Sequence, residues 1–388
     1  MLRFRKKYRV AVIGSTGKGN YGHGLDTAFQ HVERAEIVAI ADDSDSGRQK
    51  VAARLQVNNT YSDYRQMLTK EHPDIVCIGP SWLTERVSMV QHAAENGVHI
   101  YCEKPFAPTL KDADQMYTAC NNAGIKLAMA HQWAAMPPIR ATLRALKENK
   151  YGRIQRLYIR PKDDARGGGE ELLLHGTHLF DLLIALAGDP QWVFGHLLIN
   201  DQDVTKSDGT EATHPIGPIA GNSITAVIGF DKGIRGFFDS TSHLSVDKDR
   251  TFDHLFGLTI ECENKRIQFR SPGDVYFYDA PTVLADIEHL TWNKLWMDDW
   301  HFTPEHLPRP LKKQWLHIGN KILANDLIDA IEANRSPISG IEHAMNITEI
   351  VQGVYASHFS HERLDLPLHN RSHPLEIQPS TDGVDDGT

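Results

Sequence analysis

Between Arg9 and Ala130 the chain alternates short apolar runs with helix-length segments, and that alternation limits the folds open to it. The runs Arg9–Ile13, Ile37–Ala41, Ile75–Ile78, Val98–Cys102 and Lys126–Ala130 read as strands. Helices are expected at Leu25–Glu33, Gly47–Leu55, Asp63–Leu68, Thr84–Asn96 and Lys111–Ala123. Strand–helix alternation implies a parallel sheet with helices on both faces. In such open sheets ligands bind outside the carboxyl ends of the strands.

After about Pro137 the pattern changes. A helix at Ile139–Asn149 leads to a strand at Ile154–Arg160 and a polar, glycine-rich loop from Pro161 to Glu170. A helix at Leu173–Ala187 is closed by Gly188-Asp189-Pro190, a stop signal. Strand-like runs follow near Trp192–Ile199, Ile224–Phe230, Arg235–Ser240, Leu255–Glu261 and Arg266–Phe269. Having no helices between them, they point to an antiparallel sheet. The segment Thr291–Trp315 holds four of the seven tryptophans and reads as an irregular packed excursion. Helices at Ile318–Glu332 and Ile341–Ser357 follow.

At 388 residues the chain exceeds one ordinary core, so two domains are expected. A net charge of -9 argues against general affinity for nucleic acid or anionic membrane. Arg3, Arg5, Lys6 and Lys7 read as a solvated arm. No apolar run approaches a membrane span, and Met1–Tyr8 carries no apolar signal-peptide stretch. The four cysteines are scattered, so cytoplasmic residence is the expectation.

Directly after the first strand comes Gly14-Ser15-Thr16-Gly17-Lys18-Gly19-Asn20-Tyr21-Gly22-His23-Gly24. Glycines there let the backbone approach a pyrophosphate, which the N-terminus of a following helix favours. The spacing departs from GxGxxG, with Thr16 in the second glycine's place. The second strand ends in Asp42-Asp43, and an acid there takes the ribose hydroxyls of an adenosine and repels a 2′-phosphate. A dinucleotide site with NAD is the expectation; Ser44 and Arg48 leave NADP open.

At the end of the Val98–Cys102 strand stands Glu103-Lys104-Pro105, and Gly176-Thr177-His178-Leu179-Phe180-Asp181 opens the helix of the second half. With these motifs in this order, the chain to Pro367 resembles the Gfo/Idh/MocA family, that of glucose–fructose oxidoreductase and inositol dehydrogenase. The resemblance implies an α/β Rossmann domain, a doubly wound parallel sheet, over 1–132. It implies an α+β domain with a large, mainly antiparallel sheet over 133–369, and a mobile polar tail is expected over 370–388. It also implies Lys104 and His178 as catalytic groups, with Lys104 polarising the substrate oxygen and His178 accepting its proton. A lysine beside oxidised nicotinamide and partly desolvated has a lowered pKa, which suits proton movement near neutrality. Glu103 would orient it, and Pro105 would fix the turn through a cis bond.

Gly14, Thr16, Gly17, Lys18, Gly19, Asn20, Tyr21, Asp42, Pro80, Ser81, Trp82, Glu103 and Lys104 form the candidate cofactor set. Arg166, Glu170 and Asp181 form the candidate substrate set, Asp181 sharing a helical face with His178 and holding its ring. A metal at His175, His178 and Asp181 is disfavoured by the intervening leucines and the lack of a further ligand, so no metal is expected. Two positions depart from the family: Leu174 replaces an Asp four residues before the histidine, and Thr84 stands where a histidine is common.

The activity implied is hydride transfer between NAD and a sugar, inositol or related polyhydroxy compound. One alternative retains NAD, oxidises transiently, then eliminates or hydrolyses a glycoside; another is a non-enzymatic NAD-binding regulator. A homodimer or homotetramer paired through the second domain's sheet is expected.

Overall fold

The computed structural model describes residues 7–244, 256–271, 273–278, 291–301 and 311–376. Six strands form the first sheet: β1 (Tyr8–Ile13), β2 (Ala35–Ala41), β3 (Asn59–Tyr61), β4 (Ile75–Ile78), β5 (His99–Cys102) and β6 (Leu127–Met129). All pair in parallel, in the order β3-β2-β1-β4-β5-β6. This is a Rossmann sheet, and the strand order reverses direction between β1 and β4. β4 is buried at every residue, as its unbroken Ile-Val-Cys-Ile run requires when both faces are covered.

The covering helices are α1 (Asp45–Leu55), α2 (Tyr64–Glu71), α3 (Arg86–Glu95) and α4 (Leu110–Ala123). Ser44, Asp63 and Thr109 cap α1, α2 and α4 by accepting bonds from backbone N–H groups that the first turn leaves free. The helix expected at Leu25–Glu33 does not form. Only a 3-10 turn, Leu25–Thr27, stands there. The N–H groups of Thr27, Ala28, Gln30 and Val32 each bond three residues back, to Gly24, Leu25, Thr27 and Phe29. Gly17, Gly19, Gly22 and Gly24 all have left-handed φ, so the chain enters the segment coiled and short of a helical start.

Helices α5 (Pro137–Lys147), α6 (Gly169–Leu173) and α7 (Gly176–Ala187) lead into the second half, followed by α8 (Asp298–His301), α9 (Leu311–Glu332) and α10 (Ile341–Ser360). The helix expected from Leu173 is thus two helices, broken between Leu173 and Gly176. The second sheet contains β7 (Ile154–Arg160), β8 (Trp192–Ile199) and β9 (Gln202–Asp203). A separate ribbon pairs β10 (Thr210–Glu211) with β11 (Pro218–Ile219). The large sheet continues with β12 (Ser223–Gly229), β13 (Arg235–Thr241), β14 (Gly257–Cys262) and β15 (Arg266–Arg270). It is completed by β16 (Asp274–Tyr278), β17 (Asn293–Lys294) and β18 (Leu364–Asp365). The order is β17-β16-β15-β14-β7-β13-β12-β8-β18, with β9 beside β8. Only the β7–β13 pair is parallel among its described pairings.

One face of this sheet packs on α7 and α10 through Leu179, Phe180, Leu183, Val354 and Tyr355. The other presents Tyr158 and Phe194, both exposed, with Tyr158 stacked on Phe237 at 5.0 Å. The second half is not self-contained. Leu323, Ala324, Leu327 and Ile328 of α9 return to the core of the first sheet, against Val10, Val12 and Leu25.

The tail expected to be mobile from 370 is packed as far as Leu375. Arg371 pairs with Asp114 at 2.6 Å and with Glu349, and His373 and Leu375 are buried. Residues 377–388, 302–310 of the tryptophan-rich segment, Leu255 and the arm residues Arg3, Arg5 and Lys6 lie outside the described residues. Among the described residues no helix is long and apolar enough to cross a membrane.

Candidate active site

The carboxyl ends of β1, β2 and β4 open onto a crevice of about 680 Å³. Gly14, Lys18, Asp42, Pro80 and Trp82 line it, as does Thr84. Ile13, Pro80 and Met89 give it apolar walls, and Ser15, Lys18, Asp43 and Arg65 a polar rim. This combination fits the adenosine half of a dinucleotide at a topological switch point. A groove of about 1520 Å³ under the Leu364–Pro374 segment contains none of these groups.

The glycine loop is closed on the protein itself. A Cβ on Gly14 would meet the Tyr21 ring at 2.2 Å, and one on Gly19 would meet the backbone N of Ser81 at 2.6 Å. Gly17 donates its N–H to Asn20 Oδ1 at 3.0 Å, and Ser15 and Asn20 exchange backbone bonds. These glycines therefore make room for Tyr21 and for the strand-end backbone at 81–82. With no α-helix after them, the expected helix-dipole contribution at the pyrophosphate is missing.

Asp42 differs from its expected part. It is 1% exposed, and its carboxylate accepts from Thr16 N (3.1 Å), Thr16 Oγ1 (2.7 Å), Tyr21 Oη (2.7 Å) and Ser44 N (3.0 Å). Four donors fill its acceptor sites, so in this arrangement Asp42 fastens the loop and has no acceptor left for a ribose. Burial, then the bond to Asp42, raises the Tyr21 phenol far above its usual range. The open acid in the crevice is Asp43, paired with Lys18 Nζ at 3.0 Å.

Glu103 and Lys104 part company at the end of β5. Glu103 is fully buried and accepts from His23 N (2.8 Å), His23 Nδ1 (3.0 Å) and Lys104 N (3.0 Å). Burial pushes its pKa up, but the His23 charge and bonds, with the Lys104 charge, outweigh this and hold it at about 2. It anchors the glycine loop and does not orient the Lys104 ammonium. Lys104–Pro105 is a cis peptide bond. The turn is held by Arg86, 1% exposed, whose guanidinium donates to the carbonyls of Pro80 (2.6 Å) and Pro105 (2.8 Å).

Lys104 Nζ reaches across to the second half and donates to the Leu174 carbonyl at 3.3 Å. Burial lowers its pKa, opposed by Glu103 and Glu171 and assisted by Arg166 and Lys162. Leu174 thus serves through its backbone, whatever its side chain. His178, one turn on, is buried, and its Nδ1 has no hydrogen-bond partner. Burial, then Lys104, His131, His175 and His23, drives its pKa well below the usual imidazole range, so the ring is neutral.

Asp181 does not hold His178. It accepts from Ser339 Oγ and His343 Nδ1, each at 2.8 Å, and lies 3.6 Å from His131 Nδ1. His131 in turn meets the His178 ring edge-on at 5.4 Å. Fully buried, Asp181 supports the wall behind His178 and is closed to substrate. Glu170 is also taken, bonding Thr213 through its hydroxyl and N–H. Arg166 pairs with Asp164 at 2.9 Å and stands 3.6 Å from Glu171.

Two groups outside the candidate catalytic and substrate sets are here: Glu171, which the sequence placed with Arg166 and Glu170 in the loop flanking the missing Asp and which has no exposed side-chain surface, and His175, weighed only as a metal ligand, whose Nδ1 lies 2.7 Å from it. Their i, i+4 spacing was the available signal. The metal arrangement at His175, His178 and Asp181 is not assembled. Among the described residues no three His, Cys, Asp or Glu side chains converge as metal ligands.

A six-stranded Rossmann sheet with a crevice at its switch point, followed by a large, mainly antiparallel sheet whose covering helix α7 begins beside Lys104, defines the class of fold. Residues 8–131 match the model of the Gfo/Idh/MocA oxidoreductase family, described as an NAD-binding Rossmann fold. Over those residues the chain has that family's NAD-binding domain. It is 33% identical over 195 residues to D-apiose dehydrogenase of Paraburkholderia graminis, covering 47% of this chain and 51% of that one. A 2,7-anhydro-N-acetylneuraminate hydratase of Mediterraneibacter gnavus is 28% identical over 43% of this chain and 41% of its own. The chain spans about half the length of these curated relatives or less. Among solved structures, levoglucosan dehydrogenase with NADH and levoglucosan has a TM-score of 0.72 at 20% identity, covering 94% of this chain and all of that one.

Proposed function

We propose that this chain is an NAD-dependent oxidoreductase transferring a hydride between the nicotinamide and a carbinol carbon of a sugar, inositol or related polyhydroxy compound. The observation that carries this reading is the meeting of Lys104, from the end of β5, with the start of α7. There a buried ammonium donates to the Leu174 carbonyl within electrostatic reach of a buried, neutral imidazole. NAD supplies the hydride acceptor when bound. Lys104 donates to the substrate oxygen and steadies the negative charge that grows on it, and an imidazole of α7 (His178 in the sequence reading) accepts its proton. Gly14, Lys18, Asp43, Pro80 and Trp82 would hold the cofactor. The test is a panel of sugars and polyols with NAD, followed by nicotinamide absorbance. Absence of NADH formation across the panel would remove the reading.

A second reading keeps the hydride within the enzyme, and the likeness to a hydratase favours it. Mass spectrometry of the denatured protein decides: co-purifying NAD supports the recycling reaction, and its absence supports free exchange of cofactor. We also infer that subunits pair through the open sheet face bearing Tyr158 and Phe194, forming a homodimer or homotetramer. Sedimentation of the wild type against Phe194→Glu tests that.

A further inference from the structure

Hydride transfer needs one proton acceptor, and two imidazoles stand at the start of α7. They differ in what backs them. His178 is buried with Nδ1 unpartnered. His175 has its Nδ1 at 2.9 and 2.7 Å from the two carboxylate oxygens of Glu171. With Nδ1 engaged, Nε2 is the ring atom left for an incoming molecule, and the side chain keeps 22% of its surface exposed. The intervening Leu174 carbonyl receives Lys104 Nζ, which brings the ammonium to the turn that carries His175. The carboxylate–imidazole spacing missing at 174 and 178 recurs one turn earlier, at 171 and 175.

We propose that His175 accepts the substrate's hydroxyl proton, with Glu171 as its positioning residue. This rests on the hydride-transfer reading above. The hydride leaves the carbinol carbon for the nicotinamide, and the O–H proton passes to His175 Nε2. The O–H electron pair becomes the second bond of the carbonyl. The Nδ1 proton shifts toward Glu171, so an anionic carboxylate–imidazole pair becomes a neutral acid–imidazole pair.

The surroundings suit this. Facing the pair are Lys104 from the β5 turn, Lys162, Asp164 and Arg166 from the loop after β7, His23 from the glycine loop and His178 of α7. Burial pushes Glu171 up to about 7, with Arg166, Lys162 and Lys104 opposing and Asp164 assisting. Burial, then Lys162, Lys104, Arg166 and His23, holds His175 well below the imidazole range. An imidazole held at Nδ1 against a carboxylate that gains its proton near neutrality is a better general base at pH 7 than His178, whose Nδ1 has no partner.

The experiment is the pH profile of kcat/KM for NAD reduction by a polyol taken from the panel, in wild type, Glu171→Gln, Glu171→Asp, His175→Ala and His178→Ala. The wild type is expected to rise to a plateau through an inflection near 7. Glu171→Gln should lose that inflection and about 10- to 100-fold of the plateau, with partial recovery in Glu171→Asp; His175→Ala should lose at least ~100-fold. NAD affinity, read separately by titration calorimetry, should stay within about twofold, which separates lost chemistry from lost folding. Wild-type profiles in Glu171→Gln and His175→Ala, or loss of the inflection in His178→Ala alone, would overturn the assignment while leaving hydride transfer standing. A panel that yields no NADH removes both.

Discussion

Replacing Glu171 by Gln should stabilise the protein, and by an amount that depends on pH. In the unfolded chain a glutamate loses its proton near 4.5, whereas burial holds it in the folded protein to about 7. The native state therefore binds the extra proton between these values, and stability contributed below 4.5 is lost as pH rises through 7. The interval is about 2.5 units, and at 1.36 kcal/mol per unit the carboxyl costs about 3 kcal/mol at pH 8 relative to pH 4. Its side chain has no exposed surface, so solvent screening takes little from this figure. Gln offers an oxygen to His175 Nδ1 at every pH and carries no charge to bury. For a chain of 388 residues unfolding cooperatively, this corresponds to a melting-temperature gap of about 4 °C. The assay is thermal unfolding of both proteins from pH 4.5 to 8. Other titrating groups cancel in the difference, which should be near zero at the acid end and grow in favour of Glu171→Gln toward pH 8. Curves that stay parallel would mean that Glu171 is not buried as an ionising group, and the His175 pair would lose its physical basis.

Lys104→Ala should lower turnover at least ~100-fold while leaving NAD affinity nearly unchanged, measured by steady-state kinetics beside calorimetry; unchanged turnover would make Lys104 structural. Tyr21→Phe removes a donor to the buried Asp42 carboxylate, so the cofactor-free protein should lose about 1.5–3 kcal/mol in denaturant unfolding. NAD should then stabilise that variant more than the wild type, because a ribose hydroxyl can take the vacated acceptor site; equal cofactor shifts would refute this. NAD should bind more tightly than NADP, and Asp43→Ala should narrow the ratio by removing the crevice's open acid and releasing Lys18. A ratio unchanged in calorimetric titration would return ribose recognition to Asp42.

Five of the six strands of the first sheet were legible, all but the short, exposed edge strand β3, because burial on both faces leaves continuous apolar runs such as Ile75–Ile78, and turn and cap residues such as Ser44, Asp63 and Thr109 mark where the helices begin. The position of Glu103-Lys104-Pro105 at a strand end was also written in order along the chain. Which atoms those side chains meet was not. Glu103 bonds a residue 80 positions away and Asp181 one 158 positions away, and periodicity records that a face is buried without recording against what. The segment after β1 carries helix-forming residues, yet it is wound into short turns and shares its core with Leu323, Leu327 and Ile328 from the far end of the chain. Asp42 has the position of a ribose acid. Only the folding of Tyr21 and Thr16 back onto it decides that its acceptors are filled from within the chain. Hydrophobic pattern is a local property of the chain, whereas the charge state and partners of a buried polar group depend on everything packed around it.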